Sequence, residues 1–147
     1  MITIFDLDNC ISDDNWRLPY INQRETGERK YDQYHMLAGF DQLAHASLLL
    51  GKRVVISTGR PVRYKPITEQ WLLRNGIRAE TIIMRNEGDA RDQVRIKRQH
   101  LVWLLSLYDY RREEIAHAYD DRVDVVAEYN SLGIPASVLA INKEQRR

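Results

Sequence analysis

The chain opens Met1-Ile2-Thr3-Ile4-Phe5-Asp6-Leu7-Asp8, a mostly apolar run that ends in two carboxylates two positions apart. Ile2–Phe5 is short and rich in β-branched residues, which predicts a buried strand. A strand ending this way delivers both carboxylates to one edge of a sheet, and in an open α/β sheet that edge is where ligands bind. Carboxylates this close repel each other and lose hydration, so they need a cation or a shared proton. A strand running into an acidic turn is the plainer alternative, and the rest of the chain decides between them.

Working outward, four more runs have the same strand character: Val54–Ser57, Thr81–Met84, Ile115–Tyr119 and Ala136–Ile141. Between them apolar residues recur at helical spacing over Tyr34–Leu50, Tyr64–Asn75, Asp92–Leu107 and Val123–Leu132. Gly51, Gly76 and Gly133 each follow one of these, as residues that end helices do. Strand alternating with helix predicts a Rossmann-like three-layer α/β/α sandwich around a five-stranded, mainly parallel sheet. Ile11–Lys30 is polar and aromatic without a period, and predicts a loop or flap beside the site. Lys143–Arg147 reads as a solvated tail.

The length of 147 residues suits a single domain, 1–147, without a large inserted cap. Twenty-two basic residues, 17 Arg and five Lys, face 21 acidic ones, for a formal charge of +1. No global field therefore draws the protein to a polyanion or a membrane surface, and any polyanion binding must be local. The lone Cys10 excludes an internal disulfide and a multi-cysteine zinc site. No signal-peptide pattern opens the chain, and no apolar stretch reaches the roughly 18 residues that cross a membrane. A cytoplasmic protein is expected.

Three later signals share the logic of the opening pair. Val54-Val55-Ile56-Ser57-Thr58-Gly59-Arg60 ends a strand in a hydroxyl, a glycine and an arginine, a turn able to hold an anion. Ala116-His117-Ala118-Tyr119-Asp120-Asp121 ends another strand in adjacent carboxylates, and Lys97 lies on the helix before it. Each alone reads as a plain turn or a surface lysine. Together they are the parts of a Mg²⁺-dependent phosphoryl-transfer site, since oxygen-only ligands suit Mg²⁺ and an Asp can attack phosphorus.

These four motifs, in this order and spacing, resemble the haloacid dehalogenase (HAD) superfamily of phosphatases over nearly the whole chain. Flanking segments are similar to the 3′-phosphatase domain of phage polynucleotide kinase: Asn15-Trp16-Arg17-Leu18-Pro19-Tyr20, Glu87-Gly88-Asp89-Ala90-Arg91, and Asp120-Asp121-Arg122 before Val125-Val126. No kinase phosphate-binding loop accompanies them. The resemblance implies Asp6 as nucleophile and metal ligand. It implies Asp8 as general acid/base whose backbone carbonyl also meets the metal. Thr58 and Lys97 would hold the phosphoryl group, and Asp120 and Asp121 would complete the Mg²⁺ site. Arg17, Gly59 and Arg60 are implied on the substrate side, and Asp32 is matched to a further functional acid. Two residues depart from the family: Cys10 stands in place of Thr or Val, and Asn9 in place of a frequent Gly.

The implied substrate is a 3′-phosphate on a nucleic-acid end. A nucleoside monophosphate is the alternative, and a non-catalytic module binding phosphorylated ends the remote one. An EF-hand reading from Asp6 needs Gly and Glu where Ile11 and Arg17 stand. A cysteine phosphatase needs five residues between Cys and Arg, whereas six separate Cys10 from Arg17. His35, His45, His100 and His117 show no zinc spacing, and His117 in mid-strand reads as a core residue. Trp71 and Trp103 fit helical cores, whereas Trp16 in the loop is a candidate to stack on a substrate base.

Overall fold

The computed structural model describes residues 1–22 and 29–145. In chain order the elements are β1 (Ile2–Phe5), β2 (Ser12–Asp13), α1 (Tyr31–Met36), β3 (Gln42–Leu43), α2 (Ala46–Leu49), β4 (Arg53–Pro61), α3 (Lys65–Arg74), β5 (Ala79–Arg85), α4 (Gln93–Ser106), β6 (Ile115–Asp120), α5 (Val123–Ser131) and β7 (Ala136–Val138). Five strands form one sheet in the order β5-β4-β1-β6-β7, and every pairing in it is parallel. The chain runs outward from β1 to one side, then returns to add β6 and β7 on the other. The carboxyl end of β1 therefore lies at the switch point, where the helices on either side diverge and leave a crevice.

Burial follows the strand period of two. Ile2, Ile4 and Val55 face a core shared with Leu101 and Leu104 of α4 and Val125 and Tyr129 of α5. Phe5, Val54 and Ile56 face the opposite core, with Leu7, Ile11, Trp71 and Leu72. Covered on both faces, β1 is buried along its whole length, and only its end reaches the crevice. Lys97 arrives there from α4, whose first turn is capped by Asp92 accepting from the Arg95 amide at 2.9 Å.

Three expected elements differ. The helix expected over Tyr34–Leu50 is broken: after α1 come a 3-10 turn at Leu37–Phe40, then β3 paired antiparallel with β2, then the short α2. The side chain of Asp41 turns inward and accepts hydrogen bonds from Arg17, Ser12 and Trp16. Such charge-assisted bonds contribute about 1.5–3 kcal/mol each, against at most about 0.7 kcal/mol per residue for ordinary helix propensities. Tertiary contacts win over the local pattern.

The stretch Ile11–Lys30 carries more structure than a loop: β2, and a 3-10 turn at Asn15–Tyr20 containing Pro19. Its segment 23–28 lies outside the described residues. The last strand ends at Val138 rather than Ile141, because the chain leaves the sheet to cross toward β1. There the Ile141 amide donates to the Asn9 carbonyl at 2.9 Å.

Candidate active site

Asp6 and Asp8 follow β1, Thr58 lies near the end of β4, and Asp120 and Asp121 lie at the end of β6. All five converge on the crevice with Lys97, and all are buried. One ligand oxygen from each of Asp6, Asp120 and Asp121 lies within 4.8 Å of the others. Lys97 Nζ sits 3.0 Å from Asp6 Oδ1 and 2.8 Å from Asp120 Oδ2, and donates to the Ser57 carbonyl at 2.7 Å. Three carboxylates crowd one buried ammonium in an oxygen-only site. That is the charge and donor chemistry a divalent hard cation fits.

The titrations follow from this crowding. Burial and the neighbouring Asp6 push the Asp120 carboxyl up to about 6, with Lys97 opposing. Burial by itself lowers the pKa of Lys97, but Asp120 and Asp6 more than offset it, so the ammonium stays charged. The Cys10 thiol is pushed up by burial and by Asp6, Asp120 and Asp121, and stays protonated.

Asp8 has a different environment. Its Oδ1 accepts from Arg17 and from Arg60, each at 2.6 Å, and Arg60 Nε also reaches the carboxylate at 3.2 Å. Arg17 is fully buried. It donates to both oxygens of Asp41 at 2.9 and 2.6 Å and to the Tyr34 carbonyl, with the Tyr34 ring 4.2 Å from its guanidinium carbon. Arg60 reaches Thr68 Oγ1 at 3.1 Å. Burial works against the charge of Arg17, but Asp8 and Asp41 raise its pKa on balance. Two guanidiniums here face the carboxylates of Asp8 and Asp41 directly.

Among the residues expected to meet substrate, Arg17 and Arg60 thus grip Asp8 and Asp41. Asp32 lies outside the cluster and accepts from the Tyr64 hydroxyl at 2.6 Å. Thr58 Oγ1 accepts from the Arg60 amide at 3.2 Å, and Gly59 runs beside the Gln93 amide. A Cβ at Gly59 would lie 2.6 Å from Gln93 Oε1, so a larger residue there displaces that side chain from the cleft. The expected base-stacking Trp16 instead donates its indole N–H to Asp41 at 2.9 Å and is not among the residues lining the cleft. His117 is half-buried and bonded to Ser137, whereas Trp71 is buried as expected.

Sequence reading missed Asp41, hidden inside an apparent helix, and Gln93, one of many polar residues on a helix start. It also took Asn9 only as a departure. Asn9 has φ 60, a backbone conformation that glycine takes freely and asparagine tolerates. Its side chain donates to Asp121 Oδ2 at 3.2 Å and to the Asn142 carbonyl at 2.9 Å, holding a carboxylate of the acidic cluster in place.

The convergent residues open into a cleft of about 960 Å³. Arg29, Arg63, Arg85, Arg91 and Arg122 line it, and Leu18, Ile21 and Tyr31 form part of its wall. No helix among the described residues is long and apolar enough to cross a membrane.

No curated protein sequence matches. Two solved structures of a Pnkp1/Rnl/Hen1 complex, one titled as an RNA repair complex, are each 26% identical over 96% of this chain, with TM-scores of 0.71 and 0.70. This chain spans only 43% and 46% of those chains, less than half their length. A haloacid dehalogenase-like hydrolase from Streptococcus pneumoniae shares the fold at 12% identity, covering 92% of this chain and 82% of its own, with a TM-score of 0.57. The family model for the polynucleotide kinase PNKP phosphatase domain matches residues 1–143. The chain belongs to that family, and is a phosphatase of the HAD type.

Proposed function

We propose that this phosphatase is a Mg²⁺-dependent phosphomonoesterase that removes 3′-phosphates from nucleic-acid ends through an aspartyl-phosphate on Asp6. The observation that carries the reading is the division of charge between the two carboxylates of the opening motif. Asp6 lies beside Lys97 among crowded carboxylates, whereas Asp8 lies between the guanidiniums of Arg17 and Arg60.

Asp6, Asp120 and Asp121 are the carboxylates that would hold the metal, joined by the Asp8 backbone carbonyl. Bound there, Mg²⁺ supplies neutralisation of the charge on the phosphoryl oxygens. An Asp6 carboxylate oxygen attacks phosphorus, forming the acyl-phosphate bond as the bond to the ester oxygen breaks. Asp8, which takes up a proton when the substrate binds, delivers it to that oxygen as it leaves. The resulting Asp8 carboxylate then takes a proton from a water that attacks phosphorus, returning Asp6 and releasing phosphate. Arg17 and Arg60 keep Asp8 aimed through both steps, while Lys97 and the Thr58 hydroxyl stabilise the transferring group.

The nucleic-acid end is supported by the family match, by the likeness to a structure of an RNA repair complex, and by the arginines lining the cleft. The formal charge of +1 favours a free nucleotide as the competing substrate. The test is phosphate release from a 3′-phosphorylated oligonucleotide, its 5′-phosphorylated twin and free nucleotides, with Mg²⁺ and with chelator. Release confined to the 3′-phosphorylated oligonucleotide with Mg²⁺, weakening steeply with salt, is expected. Preference for free nucleotides overturns the substrate assignment, and release in chelator overturns the metal.

A further inference from the structure

One wall of the cleft carries an aromatic stack that the phosphoryl chemistry does not use. Tyr31 and His35 are four residues apart on α1, so their rings share one face of the helix; the centroids are 6.3 Å apart at 23°. His35 lies against Tyr64 at 4.8 Å and 32°, and the Arg63 guanidinium lies 5.0 Å from the Tyr64 ring centre. These spacings fall within the range at which rings and cations attract. Tyr64 is buried, and its hydroxyl is tied to Asp32 at 2.6 Å, which fixes the inner end of the stack. Asp32, expected on the substrate side, thus acts here by holding a ring.

The outer end differs. Tyr31 remains 45% exposed, and it lines the same cleft as Asp6 and Asp8. Arg29 donates to the Tyr31 hydroxyl at 3.2 Å, which orients the ring and sets a cation beside it. An aromatic ring held on one side and open on the other loses little freedom when a flat group settles on it. Every base offers such a face, and stacking of this kind is tolerant of sequence.

We infer that Tyr31, backed by His35, Tyr64 and Arg63, is the platform on which a nucleobase at the phosphorylated end stacks, with Arg29 beside it for the strand's backbone charge. The inference rests on the nucleic-acid reading above and deepens it. Selection for a nucleotide end over a bare phosphate ester comes from this wall, because the buried cluster touches only the phosphoryl group.

The test uses 3′-phosphorylated DNA oligonucleotides whose last two nucleotides either carry bases or are abasic. Wild-type protein should favour the base-bearing end by roughly 5- to 100-fold in kcat/KM, through KM, which is the range that stacking on one aromatic ring supplies. In Y31A that ratio should fall close to one, and Y31F and Y31W should restore it, since the ring face and not the hydroxyl does the stacking. A ratio unchanged in Y31A, or a wild type indifferent to the missing bases, overturns the platform. Wild-type protein that releases phosphate from neither oligonucleotide overturns the substrate reading beneath it instead.

Discussion

Asp6 and Asp8 are two residues apart on one chain, yet they occupy opposite electrostatic worlds. Around Asp6, three carboxylates, Asp6, Asp120 and Asp121, crowd together, and the Lys97 ammonium contacts the first two. Around Asp8, Arg17 and Arg60 are matched by Asp8 and Asp41, in a lattice of short hydrogen bonds that also takes in Ser12 and Trp16. The contrast teaches that a buried carboxylate acquires its role from its neighbours. A site crowded with carboxylates invites a cation; a carboxylate held between two guanidiniums is fixed in place. The burial of both groups makes the difference matter, since charge separation is felt far more strongly away from water.

The comparison can be broken most sharply at Asp6 itself. D6N removes the proposed nucleophile while keeping the shape, and should lower kcat by at least about 10⁴-fold with the fold intact by circular dichroism. An activity within tenfold of wild type would place the nucleophile elsewhere. The next effect is on the arginine side. D41N should leave Arg17 buried with half its compensation and destabilise the protein by about 3 kcal/mol, read by urea unfolding. It should also slow turnover, because Arg17 then orients Asp8 less firmly. Unchanged stability in D41N would mean that the arginine pair does not need its second carboxylate.

His100 sharpens the other side. It lies behind Lys97, with Nδ1 2.7 Å from Ser57 Oγ, and burial together with Lys97 pushes its pKa down to about 3. A group depressed this way is neutral in the folded protein but takes up a proton when unfolded below its ordinary pKa. Its contribution is therefore present above about pH 6.5 and lost as the pH falls toward 3. Between pH 7 and 5 wild-type protein should lose about 2 kcal/mol relative to H100N. Parallel stability curves for the two proteins would show that His100 already carries a charge there.

The smallest effect reverses the usual sign. The raised pKa of Asp120 means that its folded form prefers the proton, so its contribution is fully present below about 4 and lost as the pH rises through about 6. At pH 7 without metal, D120N should therefore raise stability by about 1 kcal/mol, where D41N lowers it. The same variant should lose most of the stabilisation that added Mg²⁺ gives wild type. Destabilisation by D120N in chelator would remove the charge imbalance on which the metal assignment rests.

The sheet was legible because buried parallel strands are short β-branched runs, and Ile2–Phe5 is one with both faces covered. The carboxylates at strand ends were legible for the same reason: a strand's end is fixed by where the apolar run stops. Asp41 was not legible. It sits in a run of Leu, Ala and Phe that reads as helix, and only its contact with Arg17, 24 residues earlier, pulls the backbone out of that pattern. Asn9 was visible but not interpretable, since its use depends on Asn142, 133 residues away. Trp16 shows another limit: a sequence gives its place in a polar loop, whereas the structure ties its indole N–H to Asp41 and sets Tyr31 on the cleft wall.

The sequence alone determined the α/β/α architecture, the strand ends that meet at the crevice, and the residue types brought there. These depend on local period and on order along the chain, which a single sequence carries in full. Tertiary structure decided which charge stands beside which. It set Arg17 and Arg60 on Asp8, Lys97 between Asp6 and Asp120, and Asp41 beneath them. Pairing of buried charges is settled by distances of a few ångströms between residues far apart in the chain. Coulomb interaction varies on that scale, whereas the hydrophobic pattern that sets the fold does not.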